Sequence, residues 1–425
     1  MAARTNAAAA SGQVTLSAVT ISSKYRDIDS KSLMGLLASV NIYESIYTNG
    51  VGAAIEIVDS IDLLGTFPII GEETVFLQFK SALSEDLVEI TLDVLSVSAK
   101  SIDKSGITQS YTLTCASRAT LRDQLISIDR KFTGAPHEFV ESVISNSLNG
   151  GKDNLIFPIK QIDETQGNQE IVIPGLTPFG AIQMFSVFAY HRDNPYQIFL
   201  FYETLDGFNF RSLSKLFTQE IKHKYIYSMG RATSHWDLEK EGYVRAISMR
   251  LGPHADSSKY IFASTFGGKT REVNYYNKTI KDYPSNYLDQ AAKIKKLDTT
   301  RSESSLIQSK EFIEDYGINP ITHMLNTNHI NRNLNIQLAP RAIARDIITH
   351  ANIELTVPGN SELRAGDTVD VNFPRIVSDG AKRYRDKQLS GKYLITRVTH
   401  NLSLTSYEST IELIRDSFVE ELYNE

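Results

Sequence analysis

The residues Gly268-Lys269-Thr270 close the stretch Ala263-Ser264-Thr265-Phe266-Gly267-Gly268-Lys269-Thr270, and a Gly-Lys-Thr ending is what a phosphate-cradling loop requires. Such a loop also needs a glycine five positions before Gly268, and a helix after it whose N-terminus faces the phosphate. Ala263 occupies the first glycine position, and the segment 271–276 reads as strand or loop. A hairpin turn between strands is the better reading, with nucleotide hydrolysis through Lys269 as its rival. His137-Glu138 followed by Glu141 misses the zinc-protease spacing, which places a histidine where Glu141 stands. Glu138 has its own reason to sit at a helix start, since a carboxylate there meets the positive end of the helix dipole. The nine histidines form no i, i+4 pair; His323 and His329, six apart, come nearest to a cluster. No Gly-x-Ser-x-Gly elbow occurs. Aspartate and glutamate total 50, yet nothing in their spacing selects a pair for glycoside hydrolysis. The single cysteine, Cys115, follows Tyr111 and Leu113 in an alternating run and reads as a small core residue. The Lys293, Lys295 and Lys296 cluster reads as a solvated face. No catalytic, metal or cofactor residue emerges.

The elements behind these residues belong to a chain of 425 residues, which suggests two to four domains. A net charge of −6 argues against a protein that grips nucleic acid, since that needs a basic footprint. It suits a surface that DNA passes without being held. One cysteine excludes a disulfide framework within the chain. Residues 1–13 are alanine-rich, read as a mobile arm, and lack the pattern of a signal peptide. No run approaches the roughly 18 apolar residues of a membrane helix. No membrane insertion is expected, and the chain should be made in a cytoplasm.

Along the chain, residues 14–22 read as a strand. Val40, Ile42 and Ile46 alternate with Asn41, Tyr43, Ser45 and Tyr47, and Thr48-Asn49-Gly50 signals a hairpin into a return strand over 53–59. Val75, Leu77 and Phe79 begin another strand. Val88, Ile90, Leu92 and Val94 are apolar in one parity, Leu95 and Val97 in the other, so a β-bulge is expected at Val94-Leu95. A strand over 107–115 closes the set, making 14–117 a first antiparallel β-barrel. A helix is expected from Pro136, with Phe139, Val140, Val143, Ile144 and Leu148 inward and Asn149-Gly150-Gly151 ending it. A second is capped by Thr177-Pro178 and buries Ile182, Phe185, Phe188 and Ala189. Phe199 and Phe201 lie on a strand with apolar residues on both faces, and Asp206-Gly207 turns it back into Phe208. Residues 118–230 thus read as a small α+β domain. Strands return over 231–277, including 243–251 and 260–266. The lysine-rich, weakly helical stretch from Lys278 to Leu325 reads as an insertion, which the domain plan extends over 278–334. Strands resume over 335–417, and 418–425 is a short acidic tail. The fold class is mainly β with α+β insertions. The two strand-rich ends show no repeat that aligns residue by residue.

Four stretches carry a resemblance. They are Leu363-Arg364-Ala365-Gly366-Asp367-Thr368-Val369, Leu389-Ser390-Gly391-Lys392-Tyr393-Leu394 through His400, the closing Ile411-Glu412-Leu413-Ile414, and Ile198-Phe199-Leu200-Phe201-Tyr202-Glu203 before Gly207-Phe208. With Tyr43, Pro68, Gly71 and Glu72 near the start, this ordered set resembles the central baseplate hub proteins of contractile-tailed bacteriophages. It is also similar to phage late-control tail proteins and to the N-terminal part of type VI secretion spike proteins. The matching positions are Tyr43, Pro68, Gly71, Glu72, Phe201, Glu203, Gly207, Phe208, Gly366, Asp367, Gly391, Tyr393 and His400. The resemblance implies two tube-type barrels per chain and a homotrimer whose six barrels form a short tube in the virion. Its implied partners are a trimeric tail spike, the tail tube or its initiator, other baseplate proteins and, as a further candidate, the tape-measure protein, with DNA only in transit. A tail-associated peptidoglycan-degrading enzyme and a type VI secretion-like spike component are the rival readings.

Overall fold

The computed structural model describes residues 12–23, 29–81, 87–103, 108–150, 157–191, 193, 198–227, 242–254, 267–274, 278–286, 315–316, 341, 351–373, 386 and 389–415. The first unit holds β1 (Val14–Ser23), β2 (Lys31–Ser32), β3 (Leu37–Ser45), β4 (Gly52–Asp59), β5 (Glu73–Ser81), β6 (Leu87–Ile102) and β7 (Gln109–Ser117). Its alternation is what the sequence demands: Val40, Ile42, Ile55, Val75, Leu77, Phe79 and Leu113 all face one core. The expected bulge is there, as a register slip between Val94 and Ser96 against β7. Cys115 lies in this core, where burial and then the charge of Asp93 push its thiol up to about 12.

The middle unit holds β8 (Ile128–Gly134), β9 (Ile159–Ile162), β10 (Gln169–Leu176), β11 (Phe199–Thr204) and β12 (Gly207–Ser212), with helices over Arg118–Leu125, Pro136–Ser142, Pro178–Phe188 and Leu213–Thr218. The helix at Pro136 continues as a wider π turn through Leu148, and its expected apolar stripe is buried. Thr177 caps the Pro178 helix by accepting from Gly180 N at 3.2 Å. Stacked rings bind the β11–β12 hairpin: Phe199 on Phe210 at 5.5 Å and Phe201 on Phe208 at 5.3 Å. The helix at 118–125 and the β8·β10 pair have no counterpart in the sequence expectations.

The last unit holds β13 (Ile221–Ile226), β14 (Val244–Arg245) and β15 (Ser248–His254). After β16 (Gly267–Asn274), β17 (Thr279–Asn286) and β18 (Asp315–Tyr316), it resumes with β19 (Ala351–Pro358), β20 (Thr368–Asn372), β21 (Gly391–Leu402) and β22 (Tyr407–Arg415). Of the residues 231–277 expected in the second β unit, 267–274 form β16, which pairs with β17 and β18 in a sheet of their own, and 275–277 lie outside the described residues. One expectation is corrected here. The start of the stretch expected to be weakly helical is a strand, because Thr279 to Asn286 finds β16 as an antiparallel partner. The expected strand over 260–266, the lysine cluster at 293–296, His323 and His329, residues 335–340 and the tail 418–425 lie outside the described residues.

The first and last units share one connectivity. In the first, β1 pairs with β5, β5 with β6, β6 with β7, β7 with β4 and β4 with β3, and segment 31–45 also meets β1 through β2. In the last, β13 pairs with β20, then β21, β22, β19 and β15 follow, and segment 244–254 also meets β13 through β14. The details repeat too. Gly71 and Gly366, at φ +94° and +93°, precede β5 and β20. Each long strand slips register at the same place, between Val94 and Ser96 and between Ile395 and Arg397. One strand differs: β1 runs antiparallel to β5, whereas β13 runs parallel to β20. The two units are not separate sheets, because β3 pairs antiparallel with β21 from Val40↔Leu402 to Ser45↔Arg397.

Candidate functional site

The best-organised buried polar cluster lies where the three units meet. Ile42 and Glu44 share one parity of β3, continued by Ile46 just past its end, so Glu44 is carried inward with its apolar neighbours and is 1% exposed. A carboxylate in such a place must find donors. Its Oε1 accepts from Leu205 N at 2.9 Å, in the β11–β12 turn, and its Oε2 accepts from Ala365 N at 3.0 Å, before β20. Arg364 lies with Nε 3.9 Å from Glu44 Oε1, and its Nε donates to Asp206 Oδ1 at 2.8 Å. Lys160 reaches the other oxygen of Asp206 at 3.3 Å. Glu44 thus holds one amide from the middle unit and one from the last.

A second buried carboxylate repeats the device. Glu203, at the end of β11, accepts from Val51 N at 3.0 Å and from Ser117 Oγ at 2.5 Å. Both partners belong to the first unit. Around these bonds, Ile46, Tyr202, Leu213, Leu216, Phe217, Ala365, Leu394 and Ile414 form a small apolar core drawn from all three units. Gly366 makes room for it: a Cβ there would stand 2.3 Å from the Tyr202 hydroxyl. Asp367 receives Lys222 Nζ at 2.6 Å and Arg364 N at 3.2 Å, and burial raises its pKa against the pull of Lys222.

Burial pushes Glu44 up to about 7, opposed by Arg364 and the two amide bonds, and pushes Glu203 to about 7, opposed by its bonds from Ser117 and Val51. A carboxylate raised to neutrality is a general-acid candidate in an open cleft. Here both are enclosed and all their bonds go to protein donors, so they serve as fasteners. They also set a pH signature. The folded state holds both protons up to about pH 7, whereas the unfolded chain releases them near 4.5. Their contribution is complete below about pH 4.5 and is lost as pH rises through about 7. The stability difference between wild type and the Glu44→Gln/Glu203→Gln variant should therefore change by up to about 2.7 kcal/mol per pH unit in that window. Urea midpoints taken between pH 5 and 7 read this directly, and parallel curves for the two proteins exclude it.

The matching positions sort by place. Glu203, Gly366 and Asp367 lie at the junction, Gly207 begins β12 against Pro158 inside the middle unit, and Tyr43, 43% exposed, lies on β3 opposite Thr399 of β21. Phe201 and Phe208 stack in the middle core. Gly391 begins β21 at φ +144°, and the Tyr393 ring lies 5.1 Å from the Arg415 guanidinium. His400, fully buried, has Nδ1 2.7 Å from Tyr407 Oη, and burial, then Arg364, hold its pKa down to about 3. Pro68, Gly71 and Glu72 form the turn before β5. There the organising carboxylate is the neighbouring Glu73, which accepts from the amides of Ile70, Gly71 and Glu72. Glu44 and Arg364 were not singled out as site positions from sequence. The signal was present: a lone glutamate in the apolar parity between Ile42 and Ile46. Gly268-Lys269-Thr270 sits inside β16, paired with β17, so it is neither a phosphate cradle nor the turn expected of it. His137 Nδ1 is 2.9 Å from Thr165 Oγ1, and Glu138 accepts from Ala135 N at 2.9 Å as a helix cap. Among the described residues no cluster of three metal-ligating side chains occurs, and no helix is long and apolar enough to cross a membrane.

No protein-family model matches the chain. It is similar to the probable baseplate hub protein gp334 of Vibrio phage KVP40, 22% identical over 411 residues and 90% of each chain. Its fold is that of the 43 kDa tail protein of prophage MuSo2 from Shewanella oneidensis, with TM-score 0.56 and 13% identity over 94% of this chain and 99% of that one. The tail protein from Neisseria meningitidis MC58 matches at TM-score 0.51 and 10% identity, over 94% and 96%. The resemblance to baseplate hub proteins thus extends along nearly the whole chain.

Proposed function

We propose that this chain is a structural hub of a contractile-tail baseplate, acting as a homotrimer that joins the sixfold tail tube to a threefold spike. The observation that carries this reading is the pair of β units with one connectivity, locked edge to edge by β3·β21 and by Glu44 and Glu203. In each unit a single bridging segment (31–45 or 244–254) bonds to strands on both sides, which supports closure of each as a barrel. Three chains with two similar barrels each present six near-equivalent faces to one neighbour and three to another. That converts one symmetry to the other without new chemistry. A net charge of −6 suits a passage that DNA traverses without sticking. The virion baseplate is the place of work, and assembly occurs in the host cytoplasm.

Light scattering on the purified chain, and on the chain co-expressed with the adjacent tail genes, tests the proposal. The expected mass is three times 47.5 kDa, alone or with the spike bound. A chain that remains monomeric and unbound in both preparations sinks the reading.

A further inference from the structure

The sequence holds two Asn-Gly pairs, Asn49-Gly50 and Asn149-Gly150, and the fold treats them in opposite ways. Asn149 is 3% exposed, and Phe157 holds both ends of its carboxamide: Nδ2 donates to the Phe157 carbonyl at 3.1 Å, and Oδ1 accepts from the Phe157 amide at 2.9 Å. Asn49 is half-buried in the turn between β3 and β4. The chain is pinned on either side of it. Thr48 N donates to the Ser45 carbonyl at 3.3 Å, Val51 N donates to Glu203 at 3.0 Å, and Ser117 N donates to the Val51 carbonyl at 2.8 Å. Between these anchors, and among the described residues, neither the Asn49 carboxamide nor the Gly50 amide has a hydrogen-bond partner.

An asparagine side chain can be attacked at Cγ by the main-chain nitrogen of the next residue, and glycine has no side chain to hinder the approach. Hydrogen bonds on the carboxamide or on the amide oppose the step. Asn149 carries such bonds and Asn49 does not.

We propose that Asn49 is a site of spontaneous deamidation and that its product loosens the Glu203 fastener. Gly50 N loses its proton and attacks Asn49 Cγ; the Cγ–Nδ2 bond breaks and ammonia leaves. Water then opens the succinimide ring. Addition at Cγ gives aspartate, and addition at the main-chain carbonyl carbon gives isoaspartate, whose backbone runs on through Cβ and Cγ. Water enters and ammonia departs, so no oxidant or reductant is needed. Either product sets a carboxylate two residues before the Val51 amide, and isoaspartate lengthens the main chain there by one carbon. The surroundings leave no slack to absorb it. A Cβ on Gly50 would stand 2.2 Å from Thr120 Oγ1, 3.5 Å from Ser117 Oγ and 3.6 Å from Glu203 Oε2. The Gly50 backbone is thus packed against the 118–125 helix and the Glu203 carboxyl, and the added carbon displaces Val51 N from Glu203. Asp206-Gly207 can close the same ring, but Arg364 holds Asp206 Oδ1 at 2.8 Å and Lys160 holds Oδ2 at 3.3 Å. The change at Asn49 needs no enzyme, so it accumulates with the age of the folded chain.

Ageing the purified chain in mildly alkaline heavy-oxygen water tests this. Digestion in ordinary water then leaves the label only where conversion occurred during ageing, and peptide mapping by mass spectrometry reads each position. The expected result is labelled aspartate and isoaspartate at position 49, at least about tenfold ahead of position 149, because exposing Asn149 means opening two buried hydrogen bonds. The melting temperature should fall in step with the converted fraction, while an Asn49→Gln variant aged alongside keeps its starting value. Asn49 left unchanged once a short peptide of residues 46–53 has reacted, or position 149 reacting as fast, overturns the site. Conversion at 49 with no fall in melting temperature, or an equal fall in Asn49→Gln, overturns the link to Glu203.

Discussion

Glu44→Ala is expected to uncouple the middle unit from the two β units at a cost of about 2–6 kcal/mol, the range for leaving two buried amides without their acceptor. The substitution leaves the amides of Leu205 and Ala365 without their acceptor and leaves Arg364 with Asp206 as its remaining close carboxylate. Each orphaned amide costs about 1–3 kcal/mol when buried. The loss is directional. The core of the first unit does not contain Glu44's partners, so its own strands should hold. Calorimetry should show one wild-type transition splitting in two, with the β11–β12 hairpin opening first in hydrogen exchange. Glu44→Gln separates charge from shape: its amide oxygen keeps one acceptor, and the expected loss is smaller. A Glu44→Ala variant that melts as a single transition at the wild-type temperature refutes the fastening role.

Gly207→Ala should be at least as damaging, by about 4 kcal/mol. Gly207 holds φ at +123°, a region costing a non-glycine residue about 1–3 kcal/mol. Its missing Cβ would stand 2.3 Å from the carbonyl oxygen of Pro158, which is backbone and cannot swing aside. Relieving that overlap means displacing β9 from β12, at about a further 1–3 kcal/mol. Phe208 follows directly and stacks on Phe201, so the shift passes into the middle core. The expected outcome is a markedly lower melting temperature and early proteolysis within 157–212. Unchanged melting removes Gly207 from the positions that fix the hairpin.

Much of the fold was legible because period-two alternation and turn residues are local. The β3–β4 hairpin, the bulge at Val94-Leu95 and the cap at Thr177-Pro178 each depend on neighbours in sequence. What escaped depends on distance along the chain. β16 takes its identity from β17 and β18, and no local pattern in Gly268-Lys269-Thr270 announces that. The β13 strand fills the place of β1 while running the other way, so a repeat search that assumes one direction passes over it. The short echo of Gly71-Glu72-Glu73-Thr74-Val75 in Gly366-Asp367-Thr368-Val369 was readable, but one inserted residue hides it. At the junction, Gly366 and Asp367 stood out through their turn chemistry. Glu44 and Arg364 did not, since a single charge gains meaning only when its burial is known.

The hairpin between β21 and β22 has a further consequence, for the order of events on the ribosome. Leu402 and Tyr407, at the tip of the last unit, reach into the first and complete its core, where Tyr407 meets Phe79 edge-on at 5.8 Å. Those residues emerge roughly 300 residues after β7. At about 5–20 residues per second, the N-terminal unit waits on the order of 15–60 s for its last two core side chains. During that interval it offers an open apolar socket, shaped for a tyrosine that has not yet been made. A nascent chain halted before β21 is therefore a different hazard from one lacking a dispensable end: its first β unit is left unplugged and ready to accept the wrong partner.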